Sequence, residues 1–182
     1  MLPPGTHAPA FVRPPICGLP FDSEALLGSN AIALVFLRYA GSSQTRTTAI
    51  ELNTIFPDLD QADVKLVAVI DGGSIAVRDL VPRLHLLYPV LHDEAGELYD
   101  AFDVGHDRAF LRTLTNPAAA RRYLSGFGAG HGWMDGALSR LQAAVIIGQG
   151  GEVRWSWQGR GVLDRLDVDG FAREALAAAP SK

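Results

Sequence analysis

Two runs of apolar residues, separated by a stretch with helical periodicity, constrain this chain more than any other feature. Ala31-Ile-Ala-Leu-Val-Phe-Leu37 carries no polar side chain, and Lys65-Leu-Val-Ala-Val-Ile70 carries one, at its first position. A strand with one wet face would alternate in polarity, whereas a run apolar throughout fits a strand covered on both faces. Both runs fall far short of the roughly 20 residues that a membrane-crossing helix needs. Between them Ala49, Leu52 and Phe56 stand at helical spacing, and Pro57 is expected to stop that helix. Two buried strands joined by a helix pair in parallel through a right-handed crossover.

The pattern repeats downstream. Ile75 to Leu86 reads as a helix, Pro89-Val-Leu91 as a third strand and Ala95 to Phe102 as a small helix. From about Val104 to Arg140 the text is irregular and glycine-rich, with Phe127, His131, Trp133 and Met134 set among Gly126, Gly128, Gly130, Gly132 and Gly136. Order then resumes. Ala143–Ile147 and Val153–Trp157 flank Gly148-Gln-Gly-Gly151, a hairpin signature whose glycines supply positive φ. An alanine-rich helix, Val168 to Ala179, closes the chain, and the proline-rich residues 1–20 read as an extended arm laid over the domain. This order predicts a single α/β domain over residues 1–182, a length that fits one domain. Its sheet is mixed and mainly parallel, with helices on both faces and a C-terminal β-hairpin plus helix, the thioredoxin-like arrangement.

Composition narrows the chemistry. Net charge is −4, from 16 Lys and Arg against 20 Asp and Glu, so no global field draws the chain to nucleic acid or an anionic membrane. The opening residues lack the unbroken apolar core of a signal peptide, and a cytoplasmic protein is expected. Cys17 is the only cysteine. One thiol forms no internal disulfide, no thiolate zinc site and no C-x-x-C pair. His7, His85, His92, His106 and His131 show no metal-ligating spacing, and neither metal nor cofactor is expected. No G-x-S-x-G elbow supports a serine hydrolase.

Several segments together are similar to one family. Gly5-Thr-His-Ala-Pro-Ala-Phe11 resembles its N-terminal G-x-x-A-P-x-F signature. Val35-Phe-Leu-Arg-Tyr39, followed by Gly41, resembles the strand and turn that lead to its active site. Pro89-Val-Leu-His-Asp93 with Glu97-Leu-Tyr99, and Val145 to Val153, resemble its P-V-L-x-D block and its last hairpin. The family is the peroxiredoxin-like branch of the thioredoxin superfamily, alkyl hydroperoxide reductase / thiol-specific antioxidant (AhpC/TSA). The resemblance implies that Ser42 and Thr45 occupy its two thiol positions, C-x-x-C or T-x-x-C, and that Arg46 matches the arginine that follows them. It places Gln142, with Arg140 two residues earlier, where peroxiredoxins proper keep a peroxide-polarising arginine. Cys17 falls in the N-terminal segment, away from the attacking position.

Each candidate has a bland reading beside a functional one. Ser42, Ser43 and Thr45 at a helix start can cap it, or, with Arg46 and the free amides, receive negative charge. Arg38 and Tyr39 end a central strand, where open α/β sheets place ligands; a surface arginine in a structural ion pair is the plainer reading of the first. Trp155 and Trp157 alternate on a strand, so they face one side of the sheet, as core or as an aromatic wall. Trp133 and its glycine-rich surroundings read as a surface loop, a lid or a subunit contact. The leading expectation is a peroxiredoxin-like protein without thiol redox chemistry that binds or converts a small organic molecule. The site would use Ser42, Thr45 and Arg46, walled by Arg38, Tyr39, Gln142, Trp155, Trp157 and Trp133. Two alternatives stand beside it: a thiol oxidoreductase whose natural residue 42 is cysteine, and a non-catalytic scaffold or partner-binding module with no occupied pocket; a homodimer is also an expectation.

Overall fold

Alternate side chains of the first apolar run feed two hydrophobic cores, and that division sets every layer of the fold. The computed structural model describes residues 1–110, 115, 117 and 136–180. In β3, Ala31–Leu37, the side chains of Ala31, Ala33, Val35 and Leu37 enter one core while Ile32, Leu34 and Phe36 enter the other. β4 (Val64–Ile70) lies parallel to β3, and β5 (Val90–His92) parallel to β4. β6 (Ala143–Ile147) runs antiparallel on the other side of β3, followed by antiparallel β7 (Val153–Gln158), giving the sheet order β5-β4-β3-β6-β7. Gly150 and Gly151, at φ +89° and +91°, close the β6–β7 hairpin as expected.

The first core lies beneath α2 (Ser43–Gln61), α3 (Ser74–Arg83) and the closing helix, Val168–Ala177. The opposite core is covered by α1 (Ser23–Leu27), α4 (Glu97–Ala101) and the N-terminal arm. Counted among the described helices, the closing helix is α5. The arm is more than a loose extension. Val12–Arg13 (β1) and Phe21–Asp22 (β2) pair with each other, Ile16 N–H donates to the Val90 carbonyl, and His7 bridges to Glu152. α1 has no counterpart in the sequence reading. Asp22 caps it by accepting the Ala25 amide at 3.1 Å.

Pro57 does not stop α2, which continues one turn beyond it to Gln61. A proline inside a helix loses one amide donor and costs on the order of 3 kcal/mol. Ile55 and Leu59, on the buried face of α2, offset this, since a fully buried leucine or isoleucine stabilises by about 1.5–3 kcal/mol. α3 likewise accommodates Pro82 but ends at Arg83, three residues before the expected Leu86. Among the described residues no helix is long and apolar enough to cross a membrane.

Candidate functional site

β3 leaves the sheet at its carboxyl end, and the chain turns within five residues into α2. The Ser42 amide donates to the Tyr39 carbonyl at 3.0 Å, and the Ser42 carbonyl takes the Arg46 amide at 3.2 Å as the first turn of the helix. Ser42 is the N-cap, yet its side chain makes no capping hydrogen bond. The first helical amides, which have no partner within the helix, are therefore not capped by the Ser42 side chain.

Thr45 sits on the face of α2 that also buries Thr48, Ala49 and Leu52. It is 0% exposed, and its Oγ1 has no hydrogen-bond partner. Threonine in a helix ordinarily satisfies its hydroxyl on a carbonyl of the preceding turn. Thr47 does so on Ser43 at 3.0 Å and Thr54 on Glu51 at 2.7 Å. Thr48 accepts from Gln142 Nε2 at 3.3 Å. Thr45 does none of these. The neighbouring Gln44 Oε1 is also buried without a partner. An unsatisfied buried hydroxyl costs about 1–3 kcal/mol, so this turn holds a penalty that nothing among the described residues relieves.

Arg46 is partly buried and its Nε donates to the Ala40 carbonyl at 3.3 Å. Burial, and then the positive charge of Arg83, lower its pKa from the ordinary arginine value. Arg38 is not a surface residue. It is 2% exposed, with Nη1 donating to the Val162 carbonyl at 3.2 Å and Nη2 to Leu138, and its guanidinium lies 5.4 Å from the Tyr39 ring centre. A guanidinium with several donors can tie irregular segments to a strand end, and this one joins residues 138 and 162 to β3. Gln142 is buried too. Its amide nitrogen reaches Thr48 and its oxygen accepts the Leu166 amide at 3.3 Å, so both ends are engaged within the protein.

Trp155 and Trp157 face the α2/α5 side of the sheet, as their alternation implies, and both are half-buried against that core. Trp155 packs on Phe171 of α5 with ring centres 5.8 Å apart. Trp157 borders an open surface depression with Arg160, Leu163 and Arg165. Trp133 and the segment around it lie outside the described residues. Cys17 is exposed and in no disulfide. It follows Ile16 along the outer side of β5, about three strand spacings, roughly 14 Å, from β3.

A second layer behind the turn has only partial expression in the sequence. Asp71, at the end of β4, accepts the Ala137 amide at 3.0 Å and pairs with Arg140 at 3.8 Å. At 3.8 Å this is an ion pair rather than a hydrogen bond, consistent with Arg140 Nε having no hydrogen-bond partner. The Arg140 guanidinium stacks over Tyr99 at 4.5 Å, and the Tyr99 hydroxyl donates to the carbonyls of Leu37 and Val69 beneath the strand ends. Gly136 closes the layer. A Cβ there would lie 2.5 Å from Tyr39 Cβ and 3.2 Å from Gly72 Cα, so only glycine lets the returning chain pass.

Burial, followed by the negative charge of Asp71, pushes the Tyr99 phenol well above its ordinary pKa of 10.0, and burial does the same to Tyr88, whose hydroxyl donates to Ala49. A group whose folded pKa is raised contributes stability that is complete below the unfolded value and declines as pH climbs past it. Unfolding free energy should therefore fall above pH 10 by roughly 1.4 kcal/mol per pH unit for each of the two phenols. Urea midpoints between pH 8 and 11.5 test this. A flat profile, or one unchanged by Tyr99→Phe, contradicts it.

Comparison with known proteins bears on the fold. No curated protein matches the sequence significantly. Among solved structures, peroxidoxin BcpB from Mycobacterium tuberculosis superposes with a TM-score of 0.68 at 15% identity, over 96% of this chain and 94% of that one. A putative thiol:disulfide interchange protein DsbE from Chlorobium tepidum gives 0.66 at 17%, over 98% and 99%, and peroxiredoxin Q from Xanthomonas campestris gives 0.61 at 17%, over 88% and 84%. At such identities the likeness shows a shared thioredoxin-like fold. The model of the AhpC/TSA family matches residues 4–156, the stretch from the arm through the closing hairpin, and the chain belongs to that family.

Proposed function

We propose that this protein uses the start of α2 to bind a small organic molecule, or to convert one without redox chemistry. The observation that carries the reading is the Thr45 hydroxyl, fully buried in the first turn of a long helix with no partner among the described residues. Attack on a peroxide O–O bond needs a thiolate, which helix dipoles and neighbouring cations generate by lowering a thiol pKa. A threonine hydroxyl stays protonated near neutrality and cannot pass through the sulfenate and disulfide states. With Cys17 out on the β5 edge, the thiol cycle has no group to run on in this turn. What remains is a hydrogen-bonding receptacle: the Ser42 and Thr45 hydroxyls, the open amides and Arg46. Such a set stabilises a carbonyl oxygen, and stabilises it more as negative charge develops, the basis of non-redox conversion should the ligand be a substrate.

Threonine-methyl NMR reads the site directly. Acetate, acetamide and tert-butanol, added separately at millimolar concentration, are expected to move the Thr45 methyl while leaving those of Thr47 and Thr54 in place. If none of the three moves Thr45, the reading fails.

A further inference from the structure

We propose that the cavity beside the amino end of β4 takes up one apolar residue of an extended peptide, which pairs with the Leu66 backbone as a short added strand. The site touches α2 only at Phe56 and Asp60, in its last turns, and is separate from the start of that helix.

β4 reaches further than its outer neighbour. Its pairing with β3 begins at Val64, but its first pair with β5 is Ala68 with Val90. Backbone groups of successive strand residues point alternately to the two sides of the strand. The Asp63 carbonyl faces β3, where it takes the Ala31 amide at 3.1 Å, and the Ala68 amide faces β5, where it donates to the Pro89 carbonyl at 3.0 Å. By the same alternation Leu66 turns its N–H and C=O to the β5 side, where the ladder has stopped. To continue it, the Leu66 carbonyl would need an amide at position 89, and proline has none. The Leu66 amide would need the Leu87 carbonyl, but Asn53 of α2 draws that segment away by accepting the Leu87 amide at 3.0 Å. Among the described residues neither Leu66 group has a hydrogen-bond partner, and Leu66 is buried. Buried backbone groups are nearly always paired, so this donor and acceptor call for a partner from outside the chain.

A cavity of about 410 Å³ adjoins the same edge, a volume within the range of small-ligand sites. Phe21 and Leu26 wall it from one core, Phe56 from the other, and Pro89 closes it beside Leu66. Walls drawn from both cores place it at the edge of the sheet rather than over a face. Leu19, which also lines it, is 87% exposed, and an apolar side chain lodged there would remove it from water. The charged side chains of the rim are already engaged: Lys65 Nζ donates to Asp60 at 2.8 Å, and Asp22 accepts the Ala25 amide at 3.1 Å. Polar recognition therefore falls to the Leu66 backbone, and a neutral ligand suits it. An extended apolar residue flanked by two amide groups matches both Leu66 groups. The carbonyl before it accepts the Leu66 N–H, and the N–H after it donates to the Leu66 carbonyl, as in strand addition.

Titration followed by the Leu66 backbone amide signal in NMR tests the assignment. The probes are N-acetyl-leucine N-methylamide, N-acetyl-leucine methyl ester, in which oxygen replaces the second N–H, and N-acetylglycine N-methylamide, which has no side chain. The leucine diamide is expected to move the Leu66 amide downfield and to bind about tenfold more tightly than either of the others. Ala25→Trp, which sets an indole at the cavity from an exposed position on α1, should weaken the leucine diamide by about tenfold or more while leaving the β6 amide signals in place. Ester or glycine compound binding as tightly as the leucine diamide overturns the proposal, as does normal binding by Ala25→Trp. A leucine diamide that leaves the Leu66 amide unmoved overturns it too, whether or not the Thr45 methyl responds.

Discussion

Arg140→Ala is expected to destabilise the protein by about 3–5 kcal/mol, the cost of leaving a buried charge without its partner. For a chain of 182 residues that corresponds to a drop in melting temperature on the order of 6–20 °C. Both members of the Arg140–Asp71 pair are almost entirely buried, with side chains 9% and 7% exposed, so water does little to screen the loss. The substitution also removes the plate over the Tyr99 ring and a donor to the Val104 carbonyl at 3.4 Å. The contact with the exposed Asp100 adds little, as solvent-exposed pairs contribute at most about 1 kcal/mol. Asp71 would keep only the Ala137 amide among the bonds described here. Arg140→Lys should cost less, because it retains charge but not the planar stack. In a double-mutant cycle with Asp71→Asn, a coupling of about 1–3 kcal/mol is expected. A coupling near zero would mean that the pair is not what fixes this end of the sheet.

Thr45→Val and Thr48→Val should move stability in opposite directions. The two threonines lie three residues apart on the same buried face of α2, and valine has nearly the shape of threonine in each place. At position 45 the substitution removes a hydroxyl with no partner, and a gain of about 1–2 kcal/mol is expected, part of the penalty for a buried unsatisfied group. At position 48 it removes the acceptor for Gln142 Nε2 and strands that amide, so a loss of about 1–2 kcal/mol is expected. Chemical denaturation of both variants gives the comparison. A gain in stability at 45 combined with loss of the NMR response to ligands would show a residue kept for binding at the expense of stability, the usual trade at functional sites. If Thr45→Val destabilises as much as Thr48→Val, the hydroxyl has a structural role and the proposed site loses its main support.

The parts of the fold that were legible in the sequence depend on local pattern. Residues 31–37 and 64–70 are wholly or almost wholly apolar because each strand is covered on both faces, and the glycines at 150 and 151 announce a turn that needs positive φ. α2 past Pro57 was not legible, because the burial of Leu59 that offsets the proline is a tertiary fact. Nor was α1, whose five residues are too few to show a period. At the site the same division holds. Ser42, Thr45 and Arg46 could be placed by the motif order that leads into them. The roles of Arg38 as a buried tie to residues 138 and 162, and of Tyr99 beneath the strand ends, depend on partners 30 to 124 residues away, and no spacing rule reaches that far.

Reductant-coupled peroxide consumption, measured on the unaltered protein beside Thr45→Cys, is the most direct trial of the claim that oxygen has taken the place of sulfur at this helix start. The unaltered chain should consume hydrogen peroxide no faster than buffer containing the same thiol reductant. Thr45→Cys, which supplies a thiol beside Arg46, should react with it. Turnover by the unaltered chain above that background would contradict the account, and repeating the assay with Cys17→Ala would then show whether the lone cysteine carries it.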